Sequence, residues 1–147
     1  MTRDTEQIDQ RQAVQDTCVA YALALDAQDW DRLRSVFTPD AVADYGSQLG
    51  TLDGYASIEA ACQAALVPLT ASQHLMGNHL ITLADAVADA VSYFQATHIK
   101  LGADGGDRYT VAGRYDDRLV QTDGGWRITY KTLTVMWVDG NPAVLAT

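Results

Sequence analysis

The sequence predicts an α+β fold: N-terminal helices packed on a curved, mostly antiparallel sheet. Three observations point there. Apolar side chains recur at intervals of three and four between about Glu6 and Ala27, the mark of one helical face. From Ser72 onward the composition switches to β-branched and aromatic residues, in four stretches divided by turn signals. Helices first and strands after is the order of an α+β protein. The chain has 147 residues, 48% of them hydrophobic. That is enough for one domain, 1–147, with a sizeable core, and too little for two comfortable ones.

The elements follow in order. In the first helix Val14, Cys18, Tyr21 and Leu25 form the buried stripe. The run "CVAYALAL" (18–25) is apolar all round, so that end should lie deep in the protein. "DWDRLRSVF" reads as a second, short helix with Asp29 as N-cap and Trp30, Leu33 and Phe37 facing inward. "TPDA" ends it, "AVADYG" reads as a short strand, and "LDGYASIEAACQAAL" as a third helix after a Gly turn. Four long strands are then expected at Ser72–Leu83, Val87–Leu101, Tyr109–Gln121 and Trp126–Val138, joined as antiparallel hairpins. Gly77 and Gly113 are candidate bulge or bend sites. A bent sheet wrapped over three helices leaves a hollow between the layers, where a small molecule could sit.

Composition excludes several classes. The formal charge of −9 repels phosphate backbones and anionic lipid, so neither nucleic acid nor membrane is expected as a partner. No apolar run approaches the ~20 residues of a bilayer span. The polar start "MTRDTEQIDQRQ" lacks a signal-peptide core, so a cytoplasmic location is expected. Cys18 and Cys62 have no metal or redox spacing and read as reduced, buried thiols.

Polar residues in apolar settings are the functional candidates. Asp26 closes the apolar run and projects near Val19 and Ala22, where a carboxylate must be paired, hydrogen-bonded or protonated. It could equally escape the core and cap the following turn. His74, in "SQHLMGNH", shares a strand face with Met76, Asn78 and Leu80. His79 falls on the opposite face with Leu75 and Ile81, unless Gly77 introduces a bulge. Opposite faces weigh against a metal site, and no zinc-ligand spacing occurs. His98 lies on the face of Ser92, Phe94 and Ala96. Tyr45 shares its face with Ala43, and Tyr21 is on the buried helix stripe. Asp116 and Asp117, in "GRYDDRL", are expected to pair with Arg114 and Arg118 on the strand surface. Leu75, Ile81, Val135 and Trp137 are expected to leave apolar surface on the outer sheet face, which implies a homo-oligomer. The C-terminal "WVDGNPAVLAT" is a candidate closure for the mouth of the hollow.

The ordered pieces "YALALDAQDWDRLRSVFTPDAVADYG", "LDGYASIEA", "SQHLMGNH", "SYFQATHIK" and "GRYDDRLVQTDGGWRITY" resemble the NTF2-like (cystatin-like) cone superfamily. The similarity is to its SnoaL-like branch, which contains scytalone dehydratase, bile-acid 7α-dehydratase and hexachlorocyclohexane dehydrochlorinase. It covers nearly the whole chain. The resemblance implies that His74 is the proton-transferring base and that Asp26 orients and polarises it. It implies that Tyr45, Tyr21 and His98 belong to the site, with Asn78 and Phe94 as further candidate substrate contacts. Leu25 stands where the fungal dehydratase has a tyrosine, and that enzyme's Ser/Asn pair has no counterpart near Val111 to Tyr115.

The activity implied is that of a cofactor-independent, metal-free lyase. It would be a dehydratase that eliminates water from a small cyclic hydroxy-carbonyl compound, with a hydrophobic, aromatic or polycyclic substrate. In that reading Tyr45, helped by Tyr21, holds the substrate oxygen, and His98 either shares Asp26 or returns a proton to the leaving hydroxyl. Two alternatives stay open: a dehydrohalogenase or ketosteroid-type isomerase using the same His–Asp pair, and a non-catalytic small-ligand-binding protein. By the same resemblance the oligomer would be a trimer or a dimer.

Overall fold

The computed structural model describes residues 2–146 and bears out the predicted fold class. Helix α1 spans Arg3–Ala27, α2 Trp30–Val36 and α3 Tyr55–Leu66. The strands are β1 (Phe37–Asp44), β2 (Thr51–Asp53), β3 (Ala71–Ala84), β4 (Val87–Ile99), β5 (Arg108–Thr122) and β6 (Gly125–Gly140). They form one sheet in the order β2-β1-β6-β5-β4-β3, in which only β1 and β6 run parallel. The long strands start and stop within two residues of the expected limits. The short β2 was not expected; Leu52 and Asp53 stood in the stretch read as the third helix and its Gly turn.

Local chemistry explains the boundaries. The Asp29 carboxylate accepts the Arg32 N–H at 3.0 Å and starts α2, as its N-cap position predicts. Gln28 takes the left-handed conformation (φ 51°) and its N–H returns to Ala24 and Leu25 carbonyls. That reversal ends α1 one residue after Asp26 has joined the last turn. Val14, Cys18, Tyr21 and Leu25 are buried as the stripe predicts. They pack with Leu33, Phe37, Ile58, Phe94, Tyr115, Leu119 and Ile128 in a core between helices and sheet.

Bulges decide which residues face that core. Along β3 the pairing steps from Gly77↔Tyr93 to Leu80↔Val91, so β3 carries one extra residue there. Before the bulge Ser72, His74 and Met76 face the helices; after it Ile81 and Leu83 do. A second bulge lies where Ala112 pairs Trp137 and Gly113 pairs Val135, leaving Met136 over. Gly113 sits where a Cβ would stand 2.0 Å from the Thr134 carbonyl oxygen, so only glycine allows the two backbones to meet. These bulges correct the expected outer face. Leu75 and Trp137 are exposed on it, but Ile81 is buried and Val135 packs against the core. The one-residue slip had reversed both.

Candidate active site

The core does not close completely. Between the C-terminal half of α1, α3 and the concave sheet face lies a cavity of about 130 Å³. Its polar wall consists of Tyr21, Tyr45, His74 and His98; Leu25, Leu66, Phe94, Val111 and Leu133 supply apolar wall. Gln48 and Leu49, from the turn between β1 and β2, and Leu145 complete the lining. Leu145 follows a 3-10 turn at Pro142–Val144, in which Val144 is buried. The Asn141 side-chain amide donates to the Asp104 and Gly106 carbonyls and fixes that segment against the β4–β5 loop. The C-terminal segment therefore does contribute to the cavity.

Asp26 and His74 meet as a pair. The His74 Nδ1 lies 2.6 Å from Asp26 Oδ1, and the His74 backbone N–H donates to Oδ2 at 2.7 Å. The Ser72 hydroxyl donates to Oδ1 at 3.1 Å. One carboxylate, carried by the last turn of α1, thus holds both the ring and the backbone of the β3 residue opposite. A carboxylate beside Nδ1 fixes the neutral ring as the Nδ1–H tautomer, leaving the Nε2 lone pair free on a ring that lines the cavity. Burial alone would push the Asp26 carboxyl up. The hydrogen bonds from the His74 ring and amide, the His74 charge and the Ser72 hydroxyl outweigh it and hold the carboxyl below its usual range. Asp26 therefore stays ionised at neutral pH.

His98 stands beside this pair, its ring centroid 5.9 Å from that of His74 and the two planes nearly perpendicular. Its Nδ1 lies 3.2 Å from the Tyr109 carbonyl oxygen, which can only accept, so Nδ1 carries the proton. Burial, with the His74 charge second, pulls His98 down to about 4. At neutral pH it is an uncharged ring with no proton on Nε2. In that form Nε2 can accept a hydrogen bond, and its lowered pKa weighs against the expectation that it returns a proton to a leaving hydroxyl; its Nδ1 contact is to Tyr109 and not to Asp26.

On the other side of the cavity the Tyr21 and Tyr45 hydroxyls are 2.8 Å apart. Burial pushes both phenols well above their ordinary range, so both are neutral donors at any working pH. Tyr115 packs edge-on against Tyr21 and stacks on Phe94, with centroids 5.6 and 4.2 Å apart. Phe94 is thus in the wall as expected. Asn78 is not: it occupies the β3 bulge with φ 51°, exposed and outside the cavity. The same bulge turns His79, together with Ile81, to the helix-facing side, where it is half-buried and burial lowers its pKa.

One pair was missed. Asp117 is fully buried and receives the Lys131 ammonium at 3.0 and 3.2 Å, rather than pairing with an arginine on the surface. Arg114 binds Asp116, as expected, while Arg118 binds Asp89. The signal was available, because on a period of two Asp117 shares the inward face of Tyr115 and Leu119. Tyr115 and Cys62 were likewise not anticipated in the lining; Cys62 is pushed up to about 11 by burial and is a protonated thiol. Among the described residues no group of three or more His, Cys, Asp or Glu is placed to hold a metal ion.

Comparison with known proteins agrees with this architecture. An uncharacterized Mycobacterium tuberculosis (strain H37Rv) protein, Rv2910c, is 34% identical over 133 residues, covering 87% of this chain and 86% of its own. The crystal structure of Kfla4162 from Kribbella flavida superposes with a TM-score of 0.86 at 26% identity, over 95% and 98% of the two chains. A protein of Novosphingobium aromaticivorans DSM 12444, provisionally assigned as a scytalone dehydratase, shares the fold with a TM-score of 0.83. It is 20% identical, over 95% of this chain and 92% of that one. The family model for a SnoaL-like domain matches residues 6–132, and this chain belongs to the SnoaL-like family.

Proposed function

We propose that the protein is a cofactor-independent lyase, a dehydratase that removes water from a small cyclic β-hydroxy carbonyl compound. The observation that carries this reading is the 2.6 Å contact of Asp26 with His74 in the wall of a mostly apolar cavity, faced by the Tyr21–Tyr45 hydroxyl pair. An apolar cavity of roughly 150 Å³ is enough to accept benzene. The cavity here, about 130 Å³, is of the same order, room for a small ring compound.

In this mechanism His74 Nε2 takes the proton from the carbon α to the carbonyl. Asp26 stabilises the imidazolium that forms and keeps the ring in place. The electron pair moves to the carbonyl oxygen, where the Tyr45 hydroxyl donates to the growing charge. Tyr21 donates in turn to Tyr45, which leaves the Tyr45 proton for the substrate. The enolate then expels the β-hydroxyl, which takes a proton from the His74 imidazolium and departs as water. His98 accepts from the substrate hydroxyl and orients it. A single residue that removes and returns the proton implies loss of hydrogen and hydroxyl from the same face of the ring.

The test is turnover of a panel of cyclic β-hydroxy ketones, read by enone absorbance, with product analysis in deuterated water. Enone formation that disappears in His74→Ala supports the reading. Activity retained in that variant, or no elimination across the panel, overturns it. Proton shuffling without loss of water would instead indicate an isomerase, and halide release from halogenated analogues a dehydrohalogenase.

A homo-oligomer formed through the outer sheet face is part of the same proposal. Leu75, Leu80, Tyr93 and Trp137 are all exposed there. Light scattering that gives a dimer or trimer in solution would support it, and a monomer would overturn it.

A further inference from the structure

The buried Asp117–Lys131 pair has no place in the mechanism above, and neither residue lines the cavity. The two stand directly opposite on β5 and β6, both with fully buried side chains. The ammonium also lies on two aromatic faces, 3.8 Å from the Tyr115 ring centroid and 4.0 Å from that of Tyr21. Packing alone does not call for such a pair, because well-packed apolar residues of similar volume are often as stable or more so. Position distinguishes it. A cation on the face of Tyr21 stands behind the phenol whose hydroxyl is 2.8 Å from Tyr45.

We infer that Lys131, held by Asp117, is a positioning residue that makes the Tyr21–Tyr45 hydroxyl pair a stronger oxyanion donor, acting through the Tyr21 ring. This rests on the reading that Tyr45 faces the substrate oxygen. A positive charge against an aromatic face is attracted to the ring electrons and stabilises negative charge spread into the ring. When charge grows on the substrate oxygen, Tyr45 donates to it and gains partial negative charge. Tyr21 donates to Tyr45 and shares that charge, and the ammonium under its ring stabilises the whole chain. Asp117 limits the gain, because its negative charge is held against the ammonium at 3.0 Å and opposes charge on the same phenols. It also fixes the ammonium against the rings. At an intermediate interior dielectric the balance amounts to roughly threefold to tenfold in the binding of an oxyanion. Tyr115, whose ring packs edge-on against Tyr21, presents a second face to the ammonium and stacks on Phe94 in the cavity wall.

The test uses 4-nitrophenolate as a planar oxyanion and 4-nitrotoluene as its neutral counterpart of similar shape. Both are titrated into the purified full-length protein. The unmodified protein is expected to favour the phenolate. Lys131→Met with Asp117→Asn removes both charges; it is expected to weaken phenolate binding roughly threefold to tenfold and leave 4-nitrotoluene unchanged. A second neutral version, Lys131→Gln with Asp117→Asn, keeps hydrogen bonding between the strands, so one folded version suffices. Lys131→Arg is expected to retain the phenolate preference. In a Tyr21→Phe background the neutral pair is expected to have less than a twofold effect, because the relay is already broken. A folded neutral version with an unchanged phenolate-to-nitrotoluene ratio overturns the inference and leaves the proposed dehydratase standing. If the unmodified protein does not favour phenolate at all, the oxyanion site itself is refuted, and the dehydratase mechanism with it.

Discussion

The molecule pairs an aspartate with a basic side chain twice on the inner face of one sheet, and the two pairs differ chiefly in access. Asp26 and His74 lie 2.6 Å apart at the cavity wall, with side chains 20% and 5% exposed. Asp117 and Lys131 lie 3.0 Å apart with no exposure at all. The first pair ends in a free ring nitrogen that a ligand can reach, so a proton can cross between protein and ligand. The second is closed by two tyrosine rings and its own carboxylate, so nothing is left for a ligand to exchange with. Its influence on the cavity is through its field. Access therefore separates a pair placed to exchange a proton with a ligand from one that could act on the cavity only through its field.

The strongest way to break this contrast is to remove the cavity-wall pair. His74→Ala is expected to lower kcat/KM about 10³-fold or more, since it removes the base and the acid in one residue. Asp26→Asn is expected to lower it about 10²- to 10⁴-fold by losing the ring's orientation and charge partner. Circular dichroism and thermal melting are expected to show both variants folded, because the cavity already accommodates the change. Loss of fold with loss of activity would mean that the cavity pair is structural, like the buried one.

The buried pair should respond in the opposite sense. Lys131→Met alone leaves Asp117 without a partner in a site where burial already pushes its carboxyl up. The expected cost is about 3–5 kcal/mol in chemical denaturation. Lys131→Met with Asp117→Leu is expected to recover most of that loss, because no uncompensated charge remains. If the single and double variants are equally unstable, shape and not charge governs the site.

The unequal legibility of the two pairs has a physical basis. Asp26 stood out because it closes an apolar run and His74 because it is one of only three histidines, but periodicity left the place of Asp26 open, and their pairing was legible only through the resemblance to the SnoaL-like branch. The four long strands were legible in the residues themselves, since β-branched runs ended by Gly-rich turns have few other solutions. Lys131 and Asp117 were hidden among charged neighbours in "GRYDDRL" and "TYKTL", where a surface reading costs nothing. Only the strand period, applied residue by residue, places Asp117 inward. Bulges are harder still. A single extra residue at Asn78 reverses the face of everything after it, and Ile81 was misplaced on that account. The glycine beside it hinted at a bulge but did not fix its position.

A smaller effect separates the neutral histidine from the paired one. His98 is pulled down to about 4 by burial, whereas an unfolded histidine titrates near 6.5. Between those values the unfolded chain binds the extra proton and the native chain does not, so stability rises with pH and is lost on acidification through that window. The expected loss from this residue between pH 7 and pH 4 is about 3 kcal/mol. Denaturation at a series of pH values should show it, and His98→Gln should flatten the curve between pH 6.5 and 4. Asp26 acts at lower pH, because its lowered carboxyl stays ionised through that window and loses its contribution only as pH falls through its native pKa. An unchanged curve in His98→Gln would mean that burial does not lower the His98 pKa below that of an unfolded histidine, and then its protonated form could serve as an acid after all.

The smallest expected effect is at Asn78, and it sharpens the contrast because sequence alternation had put this residue on the face of His74. The β3 bulge turns it outward with φ 51°, a conformation that asparagine tolerates and glycine adopts freely. Asn78→Gly therefore keeps the backbone geometry, removes only an exposed side chain, and should change stability by about 0.5 kcal/mol or less. Turnover should be unchanged, since nothing at this position touches the cavity. Asn78→Val is the more telling variant, because a β-branched residue resists positive φ and favours the regular ladder. If the strand responds by losing its bulge, Ile81 and Leu83 swap faces and the protein should fail to fold. If it keeps the bulge, the cost is the local strain of about 1–3 kcal/mol, with His74 still held by Asp26 and activity retained. A loss of activity in a folded Asn78→Gly protein would show that the side chain reaches the substrate, and would restore the alternation that the bulge removes.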